Sequence, residues 1–216
     1  MSIKENIEKI KSELPKGITL VAATKTRSVS EIKEAIGAGI GIIGENYVQE
    51  AEPKYNELKG KVKIHGIGHL QTNKIRKAVE IFDMIETVDS VKVAKEIDKR
   101  TDKVMPILIE VNIAKESSKT GVMPEESIKL ISEISKLKKI KIKGLMTMAP
   151  YFDDPEKDRP YFKEMKRLFD KIKSMNISNV DMEILSMGMS DSYKIAIEEG
   201  ATMVRIGTKI FGIREK

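Results

Sequence analysis

Short apolar runs recur along the chain, and between them apolar residues return every three or four positions. The short runs read as buried strands over 18–23 (ITLVAA), 41–43 (GII), 62–66 (VKIHG), 83–87 (DMIET), 104–111 (VMPILIEV), 140–144 (IKIKG), 182–185 (MEIL) and 202–206 (TMVRI). The longer stretches predict helices over 29–38, 46–58, 72–79, 90–101, 124–137, 158–174 and 190–199, with one more opening the chain at 3–13. Local signals support these boundaries. Ser28 with Glu31 makes a capping box, Ser90 precedes VKVAKEIDK, and Pro124 suits a first helical position. Gly39 and Gly200 stand where helices should end.

Strict strand–helix alternation argues for a parallel sheet with helical crossovers. Eight such units in 216 residues predict an α/β fold, a small closed (β/α)8 TIM barrel. An open doubly wound sheet is the alternative, but no G-x-G-x-x-G follows the first strand. No linker rich in Pro, Gly or Ser interrupts the chain, so one domain is expected over 1–216.

Composition narrows the chemistry. Cysteine is absent, which removes disulfides, thiolate metal sites and cysteine nucleophiles. The two histidines, His65 and His69, are too few for a multi-histidine centre, and no metal site is expected. No apolar run reaches the ~18 residues of a membrane span, and MSIKENIEKI has no signal-peptide core. A cytoplasmic, soluble protein is the expectation. The net charge of +6 raises the question of nucleic acid, but the basic residues are dispersed among glutamates on helix faces. The densest basic stretch, 136–143, reads as a helix end running into a strand. A solvated lysine-rich surface accounts for the charge, and no nucleic-acid partner is expected.

A (β/α)8 barrel carries its function at the C-terminal strand ends. Lys25 ends the first apolar run, where apolar walls would lower an amine's pKa and make it nucleophilic; a lysine snorkelling to solvent is the other reading. The last two strand ends, Ser186-Met187-Gly188-Met189-Ser190 and Arg205-Ile206-Gly207-Thr208, fit a phosphate site. Ser190 and Asp191 would open a helix there, and Gly207 with Thr208 a short extra turn, so that free N–H groups meet an anion. Alternatively the glycines make turns and Ser190 caps a helix. Arg205 sits inside the apolar run TMVRI and requires a partner, either a carboxylate within the barrel or a ligand. An amine, a phosphate cradle and a buried arginine together suit pyridoxal phosphate.

These residues also carry a resemblance. LVAATKT, IGENYVQEA, HGIGHLQTNK, VDS, VNIAKESSKTG, GLMTMAP, LSMGMSDSYKIAI and VRIGTKIFG are similar to pieces of the pyridoxal phosphate homeostasis proteins. That family comprises single-domain relatives of the alanine racemase barrel, of the fold-type III class. The resemblance implies that Lys25 carries pyridoxal 5'-phosphate, a form of vitamin B6, as a Schiff base. It implies that Ser190, Gly207 and Thr208 hold the phosphate with help from Ser186, that Arg205 faces the ring nitrogen, and that Asn46 lies near the cofactor. His65 and His69 receive no role. Alanine racemase adds a second domain and a tyrosine base from a partner subunit; with the sequence stopping at Lys216, neither is expected here. The implied function is cofactor homeostasis, meaning holding and delivery with an influence on amino- and keto-acid balance, by a monomer without efficient turnover. Apo-enzymes that use the cofactor are the implied partners, and a weak racemase-like enzyme is the alternative.

Overall fold

The computed structural model describes residues 2–150 and 152–213; the predicted domain also includes positions outside that range. Eight strands, β1 (Thr19–Ala23), β2 (Ile42–Glu45), β3 (Lys63–Gly66), β4 (Met84–Val88), β5 (Met105–Glu110), β6 (Ile140–Met146), β7 (Val180–Ser186) and β8 (Met203–Ile206), form a closed barrel in chain order. Every neighbouring pair is parallel, and β8 returns to β1 with Val21 opposite Arg205. The expected closed barrel is present.

The helical layer comprises α1 (Ile3–Glu13), α2 (Val29–Gly37), α3 (Val48–Leu58), α4 (Ile75–Ile81), α5 (Val91–Arg100), α6 (Ser127–Ile134), α7 (Arg159–Ser174), α8 (Tyr193–Glu198) and α9 (Thr208–Phe211). The sequence dictates several of their ends. At α2 the Ser28 hydroxyl accepts from the Glu31 N–H at 3.2 Å, and Glu31 accepts from the Ser28 N–H at 2.8 Å. Gly39 and Gly200, each just past a helix, have positive φ. α7 buries Phe162, Met165, Phe169 and Ile172, a stripe at helical spacing that packs on the sheet. Among the described residues, no helix is long and apolar enough to cross a membrane.

Three expected helices start differently. The segments predicted to begin at 72, 124 and 158 open with 3-10 turns, Thr72–Lys74, Pro124–Glu126 and Pro155–Asp158, before the α-helical part. The helix expected over 190–199 is Tyr193–Glu198, so Ser190 and Asp191 form a turn and do not open it. Just before this turn Gly188 holds φ at +90°. A Cβ there would stand 2.5 Å from the Ala196 Cβ, so only glycine allows this approach.

Side chains inside the barrel form layers. Met84, Leu108 and Met146 cluster with Ile184 packed against them. Two residues further along their strands, on the same face, stand Glu86, Glu110 and Ser186, with Arg205 from β8. Glu86 and Ser186 hydrogen-bond at 2.8 Å although β4 and β7 are not neighbours, which places both in the interior. The barrel therefore has an apolar lower layer and a charged layer beneath its mouth.

Candidate functional site

Lys25 emerges from β1 between two anchored residues. Thr24 is buried; its N–H donates to the Gly44 carbonyl at 2.9 Å and its hydroxyl to Glu45 Oε1 at 2.8 Å. Thr26 holds φ at +65°, and its N–H donates to Glu50 at 3.0 Å. The Lys25 amine is thus delivered to the mouth, 3.5 Å from the Tyr47 hydroxyl and 4.9 Å from the centre of its ring. Tyr47 stands at the N-cap position of α3.

The loops after β7 and β8 close on the same edge. Ser190 is buried, and its hydroxyl accepts from the N–H groups of Gly207 and Lys209 at 3.3 and 3.4 Å, both near the long limit for such bonds. The Gly188 carbonyl accepts from the Arg205 N–H at 3.1 Å. A Cβ at Gly207 would lie 3.3 Å from the Ala23 carbonyl oxygen, so the end of β8 is packed against the end of β1. Thr208 follows, exposed, as the first residue of α9. Ser190, Gly207 and Thr208 are therefore gathered beside the end of β1, from which Lys25 follows, while the Lys25 amine itself lies against Tyr47.

Asn46 sits apart, on the β2 side. A Cβ at Gly68 would stand 2.2 Å from its carbonyl oxygen, so the loops after β2 and β3 touch. Asn46, Tyr47, His69, Gln71 and Thr87 line a cleft of about 340 Å3 beside the mouth, and Lys25 and Ser190 are not among its walls. His69 is half exposed, with its Nδ1 3.8 Å from Asp89.

Ser186 lies deeper than the loops after β7 and β8, in the charged layer. Its hydroxyl donates to Glu86 Oε2 at 2.8 Å and accepts from Arg205 Nη1 at 2.6 Å; Arg205 Nη2 donates to the Thr147 carbonyl at 2.9 Å. Glu86 Oε1 lies 2.7 Å from His65 Nδ1. Burial by itself would raise the Glu86 carboxyl. The hydrogen bond and attraction to His65, the Arg205 charge and the Ser186 hydroxyl outweigh it and hold Glu86 below the usual range. Glu86 is then a carboxylate and only accepts, so His65 carries its proton on Nδ1. Burial lowers Arg205, opposed by Glu86 and Glu110. Glu110 is raised by burial, with the Thr120 hydroxyl opposing, and its Oε2 has no hydrogen-bond partner among the described residues.

Of the two expectations drawn from its sequence position, the structure shows carboxylates near Arg205: Glu86, reached through Ser186, and Glu110 act on its charge, while its own bonds go to Ser186 and Thr147. The partners Glu86 and Glu110 were not singled out from the sequence. Their signal was a carboxylate inside an apolar strand, DMIET and PILIEV, the same kind of signal that marked Arg205.

The chain matches the family model for the N-terminal domain of alanine racemase over residues 1–215. It is 42% identical over 200 residues to the pyridoxal phosphate homeostasis protein of Aquifex aeolicus, covering 91% of this chain and 87% of that one. The protein of the same name from Haemophilus influenzae is 40% identical over 203 residues, covering 91% and 85%. Among solved structures, PipY of Synechococcus elongatus with PLP bound superposes with a TM-score of 0.90 at 32% identity, over 98% of this chain and all of that one. The alanine racemase of Clostridium difficile shares the fold, with a TM-score of 0.84 at 17% identity; the match spans all of this chain and 57% of the racemase. The chain belongs to the alanine racemase N-terminal domain family, in the branch whose curated relatives are pyridoxal phosphate homeostasis proteins.

Proposed function

We propose that this chain holds and releases pyridoxal phosphate in the cytoplasm, as a homeostasis protein and not as an efficient enzyme. What supports this is the seam β7–β8–β1: the Gly207 and Lys209 N–H groups meet over Ser190, Arg205 lies buried on β8, and Lys25 follows β1 with its amine against Tyr47. The residues fit the group. The N–H groups of Gly207 and Lys209 share one serine oxygen at long distance, and a phosphate oxygen is a stronger acceptor for both. Arg205 has N–H groups outside its two bonds for the ring nitrogen. When bound, the cofactor supplies an aldehyde that condenses with amines and a ring that can withdraw electrons.

In this reading Lys25 joins the aldehyde. Ser190, Gly207 and Thr208 grip the phosphate. Arg205 donates to the ring nitrogen and, because a guanidinium keeps its protons, leaves that nitrogen uncharged. An uncharged ring withdraws electrons poorly, which suits storage better than chemistry at the alpha carbon of amino acids. Ser186 contributes from below, through Arg205, and Asn46 borders the site from β2. Delivery to apo-enzymes belongs to the proposal. Transfer to an apo-enzyme that is no faster than from free cofactor would limit the role to storage. The second reading, a weak racemase-like enzyme, draws on the Tyr47 hydroxyl beside the Lys25 amine, which places two acid–base groups together.

Titration with pyridoxal phosphate and with unphosphorylated pyridoxal tests the site. The phosphorylated form should saturate at one per chain. Charge-assisted hydrogen bonds contribute about 1.5–3 kcal/mol each. Ser190→Ala and Thr208→Ala should therefore weaken pyridoxal phosphate by roughly ten- to a hundredfold and pyridoxal far less. Equal losses for both ligands would place these residues elsewhere; a parent chain that never saturates would sink the reading. All the proposed contacts come from one barrel, so a monomer should bind the cofactor. Light scattering of the loaded protein at low concentration checks this, and loss of cofactor whenever a dimer dissociates would contradict it.

A further inference from the structure

Four buried side chains from four strands form one connected line inside the barrel. His65 on β3 meets Glu86 on β4 at 2.7 Å, Glu86 meets Ser186 on β7 at 2.8 Å, and Ser186 meets Arg205 on β8 at 2.6 Å. All four are at most 4% exposed. The line has one polarity. A carboxylate only accepts, so the single Ser186 proton points to Glu86, and the serine lone pairs are left for the guanidinium.

Stability alone does not call for this arrangement. A buried ion pair is often replaceable by apolar side chains of similar volume without loss, and the layer just below is filled by Met84, Leu108 and Met146. What the line does supply is orientation. Arg205 is held at two points, Ser186 on one arm and the Thr147 carbonyl on the other, so its planar group cannot turn. Ser186 is fixed in turn by Glu86, and Glu86 by His65.

We propose that Glu86, held by His65 and acting through Ser186, is the positioning residue that sets the Arg205 guanidinium for the cofactor's ring nitrogen. This rests on the reading of Arg205 as the donor to that nitrogen. Glu86 touches neither the phosphate loops nor Lys25, so its influence falls on one atom of the ligand.

The test compares two ligands, pyridoxal phosphate and its carbocyclic analogue with C–H in place of the ring nitrogen. Equilibrium affinities are measured for the parent, Glu86→Gln, Ser186→Ala and Arg205→Lys. Glu86→Gln and Ser186→Ala should each weaken pyridoxal phosphate about tenfold and the analogue less than twofold. Combining Glu86→Gln with Arg205→Lys should cost no more than Arg205→Lys alone, the mark of two residues acting as one. If Glu86→Gln does not fold, Ser186→Ala carries the test, since it removes only one hydroxyl. Equal losses for the two ligands, or none for either, overturn the positioning role provided Arg205→Lys discriminates between them. If Arg205→Lys fails to discriminate, the reading of Arg205 itself is what fails.

Discussion

Borohydride treatment of the protein loaded with pyridoxal phosphate is expected to leave one adduct, on the peptide containing Lys25, and Lys25→Ala is expected to abolish it along with the visible absorbance. With 32 lysines in the chain, the result depends on what distinguishes this one. Two other lysines on this side of the barrel already have acceptors. Lys54 donates to Glu45 at 3.0 Å, and Lys119 donates to the Ala149 carbonyl and pairs with Glu116. Lys25 instead meets a phenol, Tyr47, at the long limit of a hydrogen bond, so little must be broken to use the amine. It also follows Ala23 by two residues, and Ala23 packs against Gly207 in the loop proposed to hold the phosphate. Residual binding without a covalent link is expected in Lys25→Ala, because the phosphate contacts remain. Peptide mass spectrometry decides the matter: an adduct carried mainly by Lys209, Lys74 or any other lysine would refute the assignment.

Exchange of the alpha proton of alanine or serine in deuterated water should be slow, even where the amino acid displaces Lys25 from the cofactor. Racemisation requires an acid–base group on each face of the carbon, each within hydrogen-bond reach. Lys25 serves one. The Tyr47 hydroxyl lies 3.5 Å from the Lys25 amine, beside it and not across from it. His69, also at the mouth, is turned toward Asp89. Lacking a positioned base typically costs about 10²- to 10⁴-fold in rate, and Arg205, in its proposed role, would add to the deficit by leaving the ring uncharged. Mass-resolved exchange with Lys25→Ala as control measures this. Turnover near the rough enzyme median of about 10 per second would reverse the proposal in favour of the racemase-like reading.

The barrel was legible because its strands are short, apolar and separated by capped helices, so that Ser28, Ser90, Gly39 and Gly200 marked boundaries to within a residue or two. Ends governed by tertiary contact were not. Gly188, just before α8, approaches Ala196 closely, a contact that no local pattern encodes. The seam residues could be found because strand order alone brings the first strand beside the last. The charged layer could not: Glu86 and Ser186 meet across the barrel between strands that are not adjacent, and strand periodicity tells which face a residue occupies but not which residue it meets. Arg205 announced that a partner must exist without naming it.

The pairing of β8 with β1 has a consequence for the protein's synthesis. Val21 and Arg205 face each other across the closing seam, so the proposed binding residues come from opposite ends of the chain. A nascent chain would carry Lys25 well before the loops proposed to grip phosphate were made. Affinity would then arise late and in one step, when the last strand docks. Bound cofactor would in turn resist opening at that same edge, by mass action on the closed form. Loading would thus be a record of completed folding, and protection of β1 and β8 amides from hydrogen exchange would rise with it before protection elsewhere in the barrel.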